Sequence, residues 1–322
     1  MLSAKKIILT CSYLFFFLAI CFLISIKSGA VSFSWGEVFD FSNKIITSIR
    51  IPRVILSLIV GASLSLAGVV FQAILKNPLA DPYVLGVSSG GAVGSTLAVL
   101  LGLVFLQPLY AFFGSFLSIV FVLFVAKRTS SHSLILTGVI LNFFLASLLT
   151  LFLSLASPAQ LSSSYTWILG SLSFSSWDLL LKLLPFILIS ILFLYYCSHL
   201  LNILSLGEEK ALTLGVSVQK WNLILLLITS FLTAIVVSLS GIIGFVGLII
   251  PHTARNIWGS DHRILIPTSL LLGGSFVMIA DTLARTLFLP AEIPVGVLTA
   301  IIGAPLFIYF LKKGYDFQSA RN

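Results

Sequence analysis

Long apolar runs, separated by short polar punctuation, set the pattern of the chain. A helix needs about 20 apolar residues to cross the hydrocarbon core of a bilayer. Ten segments meet that length, at roughly 7–26, 54–75, 83–106, 109–126, 134–156, 179–199, 222–240, 242–258, 264–288 and 294–311. The runs are continuous, whereas barrel strands alternate polar and apolar positions, so helices are predicted. The first run follows Lys5 and Lys6, as a signal peptide would. Its apolar stretch is about 20 residues against the 7–15 of a signal core, so a retained helix is expected.

Composition sharpens this picture. Hydrophobic residues are 59% of the 322 and charged residues only 9%, where a soluble domain carries about 25% charged. Too little polar surface is available to cover a water-soluble globule. A soluble enzyme, a nucleic-acid module and a disordered chain are all excluded, despite the net charge of +8. Cys11, Cys21 and Cys197 lie scattered in apolar stretches and form neither a disulfide framework nor a metal spacing. The predicted fold is all-α: a polytopic membrane protein of ten transmembrane helices in a single transmembrane domain over 1–322.

Orientation follows from the basic residues. With both termini in the cytoplasm, the inner side collects Lys5, Lys6, Lys76, Lys127, Arg128, Lys210, Lys220, Arg255, Arg263, Lys312, Lys313 and Arg321 out of 18 basic residues. Lys27, Lys44, Arg50, Arg53, Lys182 and Arg285 stay outside, and topology alone gives no reason for Arg50 and Arg53 to be there. Rows of small residues, Gly61-Ser65-Gly68 and Gly86-Gly90-Gly94, let helix backbones approach closely. Gly241, Gly244 and Gly247 predict a partly broken turn at membrane depth, tolerable only inside protein or against a cavity.

No catalytic constellation is present: no P-loop, HExxH, GxSxG, CxxC or paired intramembrane carboxylates. His132, His199, His252 and His262 fall near cytoplasmic helix ends, where a structural or solvated role suffices. Ionisable groups within a span are costly and are functional candidates by default. Asp281 and Arg285 are four apart on one helix and can pair. They read either as a self-neutralising pair or as an outward cation at the mouth of the bundle. Arg50 and Arg53 flank Pro52 at a helix start. With Arg285 they read as a cationic rim suited to carboxylates, or as anchors to lipid phosphates. The inner loop 201–221 predicts a short helix after Gly207 with Leu212 and Leu214 on one side, stopped at Gly215. Such a helix lies on lipid or on a partner.

Several blocks carry a resemblance to a known family. They are Arg50-Ile-Pro-Arg53, Gly61 to Gly68, Gln72, Asn77-Pro-Leu-Ala-Asp81 through Gly90, Gly241 through His252, Gly259 through Arg263, Ala280 through Arg285, Glu292-Ile-Pro-Val-Gly and Gly303-Ala-Pro305. In order and spacing they resemble the permease subunit of ABC importers for iron–siderophore, haem and cobalamin. The resemblance implies ten helices, two permease copies (identical or paralogous), two ABC ATPase subunits, and a periplasmic or lipid-anchored substrate-binding protein, in the inner (cytoplasmic) membrane with its lipid and no nucleic acid. It implies docking of the binding protein at Arg50, Arg53 and Arg285. It implies coupling to the ATPase through 204–220, at Leu206, Gly207, Glu208, Glu209, Ala211, Leu212, Leu214, Gly215 and Val216. A gate or pathway is implied at Asn77, Pro78, Ser130, Ser131, His132 and Asn142, with His132 departing from the small hydroxyl residue expected there. No cofactor is expected, since ATP is bound by the partner alone. The implied cargo is an iron(III)–siderophore or related chelate, with haem or cobalamin as alternatives. An ion-coupled secondary transporter would need free intramembrane carboxylates, and an intramembrane enzyme lacks a base, a nucleophile and a metal set.

Overall fold

The computed structural model describes residues 4–312 other than 32, 41, 127–130 and 174. Among them, every α-helix falls in the order α1 (Ala4–Lys27), α2 (Trp35–Val38), α3 (Ile51–Leu75), α4 (Val87–Leu100), α5 (Gln107–Val125), α6 (Ser131–Ser154), α7 (Pro158–Ile168), α8 (Trp177–Tyr196), α9 (Ser198–Ser205), α10 (Glu208–Thr213), α11 (Val218–Ser240), α12 (Val246–Trp258), α13 (His262–Thr286) and α14 (Val295–Lys312). Each of the ten predicted segments holds one of the longer helices. Seven helical stretches, at 7–27, 46–75, 104–125, 132–154, 177–196, 218–240 and 262–286, are long and apolar enough to cross a membrane.

Two of the other three segments are shorter than expected, for local reasons. The run 83–106 is broken by Gly86, which sits at φ 91° between a 3₁₀ turn (Pro82–Leu85) and α4, leaving α4 only 14 residues. The run 242–258 loses its first turn because residues 241–245 are unwound, with Gly241 and Phe245 both at positive φ. The last helix, α14, is apolar and has 18 residues, as expected. Three helices were not predicted, α2, α7 and α9, of which α7 is the longest. α7 begins at Ser157-Pro158 and carries a capping residue, Gln160, whose side chain accepts from the Ser157 backbone N–H at 2.9 Å. Gln160 also donates to the Val99 and Leu100 carbonyls, closing the C-terminal end of α4.

The core is built around α3, which is buried over 89% of its most apolar window. It packs against α13, α11 and α12. Its small-residue row works as close-contact surface: a Cβ on Gly61 would overlap the Gly273 carbonyl of α13, and one on Gly68 the Gly247 carbonyl of α12. Without hydrophobic driving force in lipid, such backbone proximity is what lets helices associate. Two serine hydroxyls on α3 bond back to their own helix, Ser57 to Val54 O and Ser65 to Gly61 O, while Ser63 is buried with its hydroxyl unpartnered. By contrast α1 and α6 bury only 6% of their windows and turn Phe15, Phe16, Phe143 and Phe144 outward. Such exposed apolar faces fit a lipid or protein surround and not water.

Candidate functional sites at the two ends of the bundle

The C-terminal ends of α1 and α13 meet the N-terminal end of α3 in a buried charge cluster. Arg53 on α3 donates through Nε to both carboxylate oxygens of Asp281 on α13, at 3.0 and 3.2 Å, while its Nη2 lies 2.9 Å from Oδ1. Its Nη1 reaches Glu292 at 3.0 Å. Arg285 contacts Asp281 Oδ2 at 3.1 Å, one turn along its own helix. Its two Nη groups donate to the Ser28 and Ser25 carbonyls. Arg50 donates to the carbonyls of Ile26 (2.7 Å), Lys27 (3.0 Å) and Val31, and stacks over Phe33. Two arginines therefore close the C-terminal carbonyls of α1, the pole of a helix that favours a cation.

This geometry corrects one expectation. Arg50, Arg53 and Arg285 do not form an exposed rim: they are 5%, 7% and 4% exposed and committed to internal partners. The physical reason is the cost of an unpaired charge at membrane depth. The two Asp281 oxygens have lone pairs enough for both Arg53 and Arg285, Glu292 supplies a second negative charge, and the α1 terminus needs donors. The i,i+4 pairing of Asp281 with Arg285 is present, but the two-oxygen partner is Arg53, across the helices. Glu292 is the half-exposed member of the cluster and also accepts from Ser173 Oγ at 3.4 Å.

At the opposite end of α13, α9 and α10 project as a hook. Gly207 (φ 111°) and Gly215 (φ 78°) bracket α10 at backbone angles that side-chain-bearing residues rarely adopt. The Ala211 N–H bonds to Gly207 O and the Val216 N–H to Ala211 O, so the hook is internally hydrogen-bonded. Ala211 is fully buried against the bundle, whereas Leu206, Leu212 and Leu214 are exposed by more than half. Glu208, Glu209 and Lys210 flank this apolar ridge in solvent and Val216 is half-buried. Asn202 on α9 ties the hook to the start of α13. Its Nδ2 donates to Asp261 at 2.9 Å, and its Oδ1 accepts from His262 N at 2.9 Å and lies 2.7 Å from His262 Nδ1. Asp261 is held well below the usual carboxylate range, chiefly by Arg263 side-chain hydrogen bonds, with the Arg263 backbone N–H and Asn202 adding to them.

The expected gate residues are spread apart. Ser130 lies outside the described residues, Ser131 opens α6, and His132 is exposed on its first turn. Asn77 and Pro78 are half-buried, and Asn77 spends its side chain on a local turn, accepting from Leu79 N at 2.9 Å. Asn142 is 11 residues into α6, about 16 Å from its start, and faces inward. Its amide donates to Tyr83 O and Val84 O and accepts from Ser89 Oγ at 2.7 Å. Asn142 therefore belongs with the 3₁₀ turn 82–85 and not with 130–132, because its bonding groups are all taken there. In the same turn, burial pushes the Asp81 carboxyl up to about 6 against the opposing bond from Tyr83 N.

Sequence reasoning missed Tyr83. Its hydroxyl donates to Ile243 O at 3.1 Å and accepts from Ile243 N at 3.3 Å, satisfying backbone in the unwound stretch 241–245. Gly68 and Gln72 of α3 pack against Gly247 and Leu248 beside it, which places the break within the depth of the bundle, as the glycines predicted. Of the missed residues only Glu292 carried a signal, as a carboxylate beside Pro294 at the outer end of a span. Among the described residues no three histidine, cysteine or acidic side chains group as metal ligands.

Comparison with known proteins agrees with this architecture. The model of the FecCD transport family matches residues 17–313. The iron(3+)-hydroxamate import system permease protein FhuG of Bacillus subtilis (strain 168) is 35% identical, over 97% of this chain and 98% of its own. The cobalamin import system permease protein BtuC of Halobacterium salinarum is 41% identical, over 83% of this chain and 73% of its own. A solved ABC transporter, described as of metal-chelate type and in an inward-facing conformation, superposes with a TM-score of 0.86 at 36% identity, covering 97% of this chain and all of that one. With helices long and apolar enough for repeated crossing, a buried charge cluster at one end and a hook at the other, the chain belongs to the FecCD transport family of ABC importer permeases, as a multi-pass protein of the inner membrane.

Proposed function

We propose that this chain is the membrane path of an ATP-driven importer for an iron(III)–siderophore or a related iron chelate. Ten helices cross the membrane with both termini inside. Two copies, or this chain and a paralogue, enclose the path between them. A substrate-binding protein delivers cargo outside, and two ABC ATPase subunits drive the cycle from inside.

The observation that carries this reading is the hook. An apolar ridge of Leu206, Leu212 and Leu214 stands exposed on a hydrogen-bonded scaffold between two left-handed glycines. A short rigid helix with an apolar edge and a charged flank is the form in which one protein seats in a groove of another. The chain carries no P-loop, so ATP acts from the partner. Asp281, the deep carboxylate, is neutralised by two arginines, which removes the free acid that ion coupling would require. The match to the hydroxamate permease along nearly all of both chains supports an iron chelate. The higher identity to the cobalamin permease supports cobalamin as the second reading.

Docking of the binding protein falls to the outer end, where Lys44, Lys182 and Glu292, with Glu37, Asp40 and Asp178, are charges that solvent reaches. Arg50, Arg53 and Arg285 shape that surface from beneath. The test is reconstitution in vesicles with and without the ATPase, following ferric hydroxamate, hemin and cobalamin in parallel. ATP-dependent uptake of the ferric chelate is the expected result. Uptake driven by an ion gradient without ATP would overturn the proposal.

A further inference from the structure

The hook and the outer charge cluster sit at opposite ends of one helix. α13 has 25 residues, about 37 Å of rise. Its first residues are clasped by Asn202, and its last turns hold Asp281 and Arg285. Between these ends it is packed against α3, whose backbone it approaches at Gly61 and Gly273 without room for a Cβ. A close-packed helix of this kind moves as a body, not by continuous deformation.

The inner clasp has a single consistent hydrogen-bond assignment. Asp261 is a carboxylate and only accepts, so Asn202 must present its NH₂ there. Its oxygen then faces His262, accepts from the backbone N–H, and requires the ring proton on Nδ1. Asparagine alone supplies a donor to Asp261 and an acceptor to His262 at this reach. The ring's Nε2 is buried without a partner, so the Nδ1–H bond to Asn202 is the ring's one hydrogen bond. α9 itself is seated on α3 and α13 by Leu201 and Leu204, both buried. The polar clasp thus pins the base of the hook to the helix that ends in the charge cluster.

We infer that Asn202 is a positioning residue of the transport cycle: by clasping Asp261 and His262 it joins α9, α10 and α13 into one mechanical unit, so that displacement of α10 arrives at Asp281 and Arg285 instead of being absorbed between α9 and the start of α13. This rests on the reading of α10 as the element the ATPase grips. Transmission between distant sites needs an element with two arrangements that both ends bias, and α13 carries His262 of the clasp at one end and Asp281 and Arg285 of the charge cluster at the other.

The test uses the whole importer, this chain with its ATPase, in proteoliposomes. Backbone amide exchange is measured at 208–214 and at 281–287, without nucleotide and with ATP plus vanadate. In the unaltered protein, nucleotide should change exchange at both stretches, by about fivefold or more. Asn202→Ala should keep the response at 208–214, and co-purify with the ATPase, while the response at 281–287 falls below about twofold. A retained outer response in that variant overturns the inference while leaving the hook's role intact. Leu214→Asp serves as the discriminating control. Should 208–214 respond to nucleotide equally in that variant and in the unaltered protein, the ATPase does not act through α10, and both readings fall. Where Asn202→Ala does not assemble, Asn202→Asp takes its place. It keeps both acceptor contacts to His262, replaces only the donor to Asp261, and is judged by the same two responses.

Discussion

The two ends of α13 place their chemistry in opposite ways. At the outer end five charged side chains are brought together and nearly all are buried, with each guanidinium satisfied inside the chain. At the inner end the hook's charges, Glu208, Glu209 and Lys210, stand in solvent and leucines beside them are exposed. Ionic groups that are buried and fully partnered hold helices together; they are poor handles for a second protein. Apolar groups exposed on a rigid backbone are good handles, because covering them is favourable by about 25 cal/mol per Å². On the proposed function, this contrast gives cohesion to one end and partner contact to the other, although charge alone would have suggested the reverse.

The sharpest way to break the contrast is Arg53→Ala. It would leave Asp281 with one counter-charge and Glu292 with none from α3. Removing one partner of a buried pair costs about 3–5 kcal/mol, to be read as a large fall in melting temperature in detergent. An unchanged melting temperature with lost binding-protein docking would restore the rim. Arg50→Ala removes two hydrogen bonds to the α1 terminus and a third to Val31 just beyond it. A loss of about 1–3 kcal/mol is expected, seen as faster amide exchange at 24–31 with the rest of the bundle unaffected. Leu214→Asp should leave the melting temperature unchanged, since the residue is exposed, yet weaken ATPase association tenfold or more, about 1.4 kcal/mol. If association held, the ridge would not be the handle. The smallest effect is expected of Glu292→Gln. Its side chain is 39% exposed, and such a bridge is worth about 0–1 kcal/mol. A loss as large as that of Arg53→Ala would place the cluster's centre at Glu292 instead of Asp281.

Much of the architecture was legible in the linear pattern. Apolar run length located the seven helices long enough to cross a membrane to within a few residues, because lipid demands both length and continuity. The i,i+4 spacing of Asp281 and Arg285 was enough to pair them, since helical pitch alone brings them onto one face. Gly207 and Gly215 marked the bounds of the hook because glycine tolerates positive φ. The shortened helices were legible only in part: the glycines announced a break at 241–247, but Gly86 read as one step of a packing ladder and not as the end of a turn.

What sequence determined here was therefore local: which stretches are helices, how long they run, and where the backbone must turn. Tertiary structure alone decided which side chains meet. Arg53 and Asp281 are 228 residues apart, Tyr83 and Ile243 160, and Asn202 and Asp261 59. Periodicity carries no information about partners at such separations. An arginine at a helix start looks the same in sequence whether it faces water or a buried carboxylate, and only the packing of α1 and α13 against α3 removed the water and left the carboxylate.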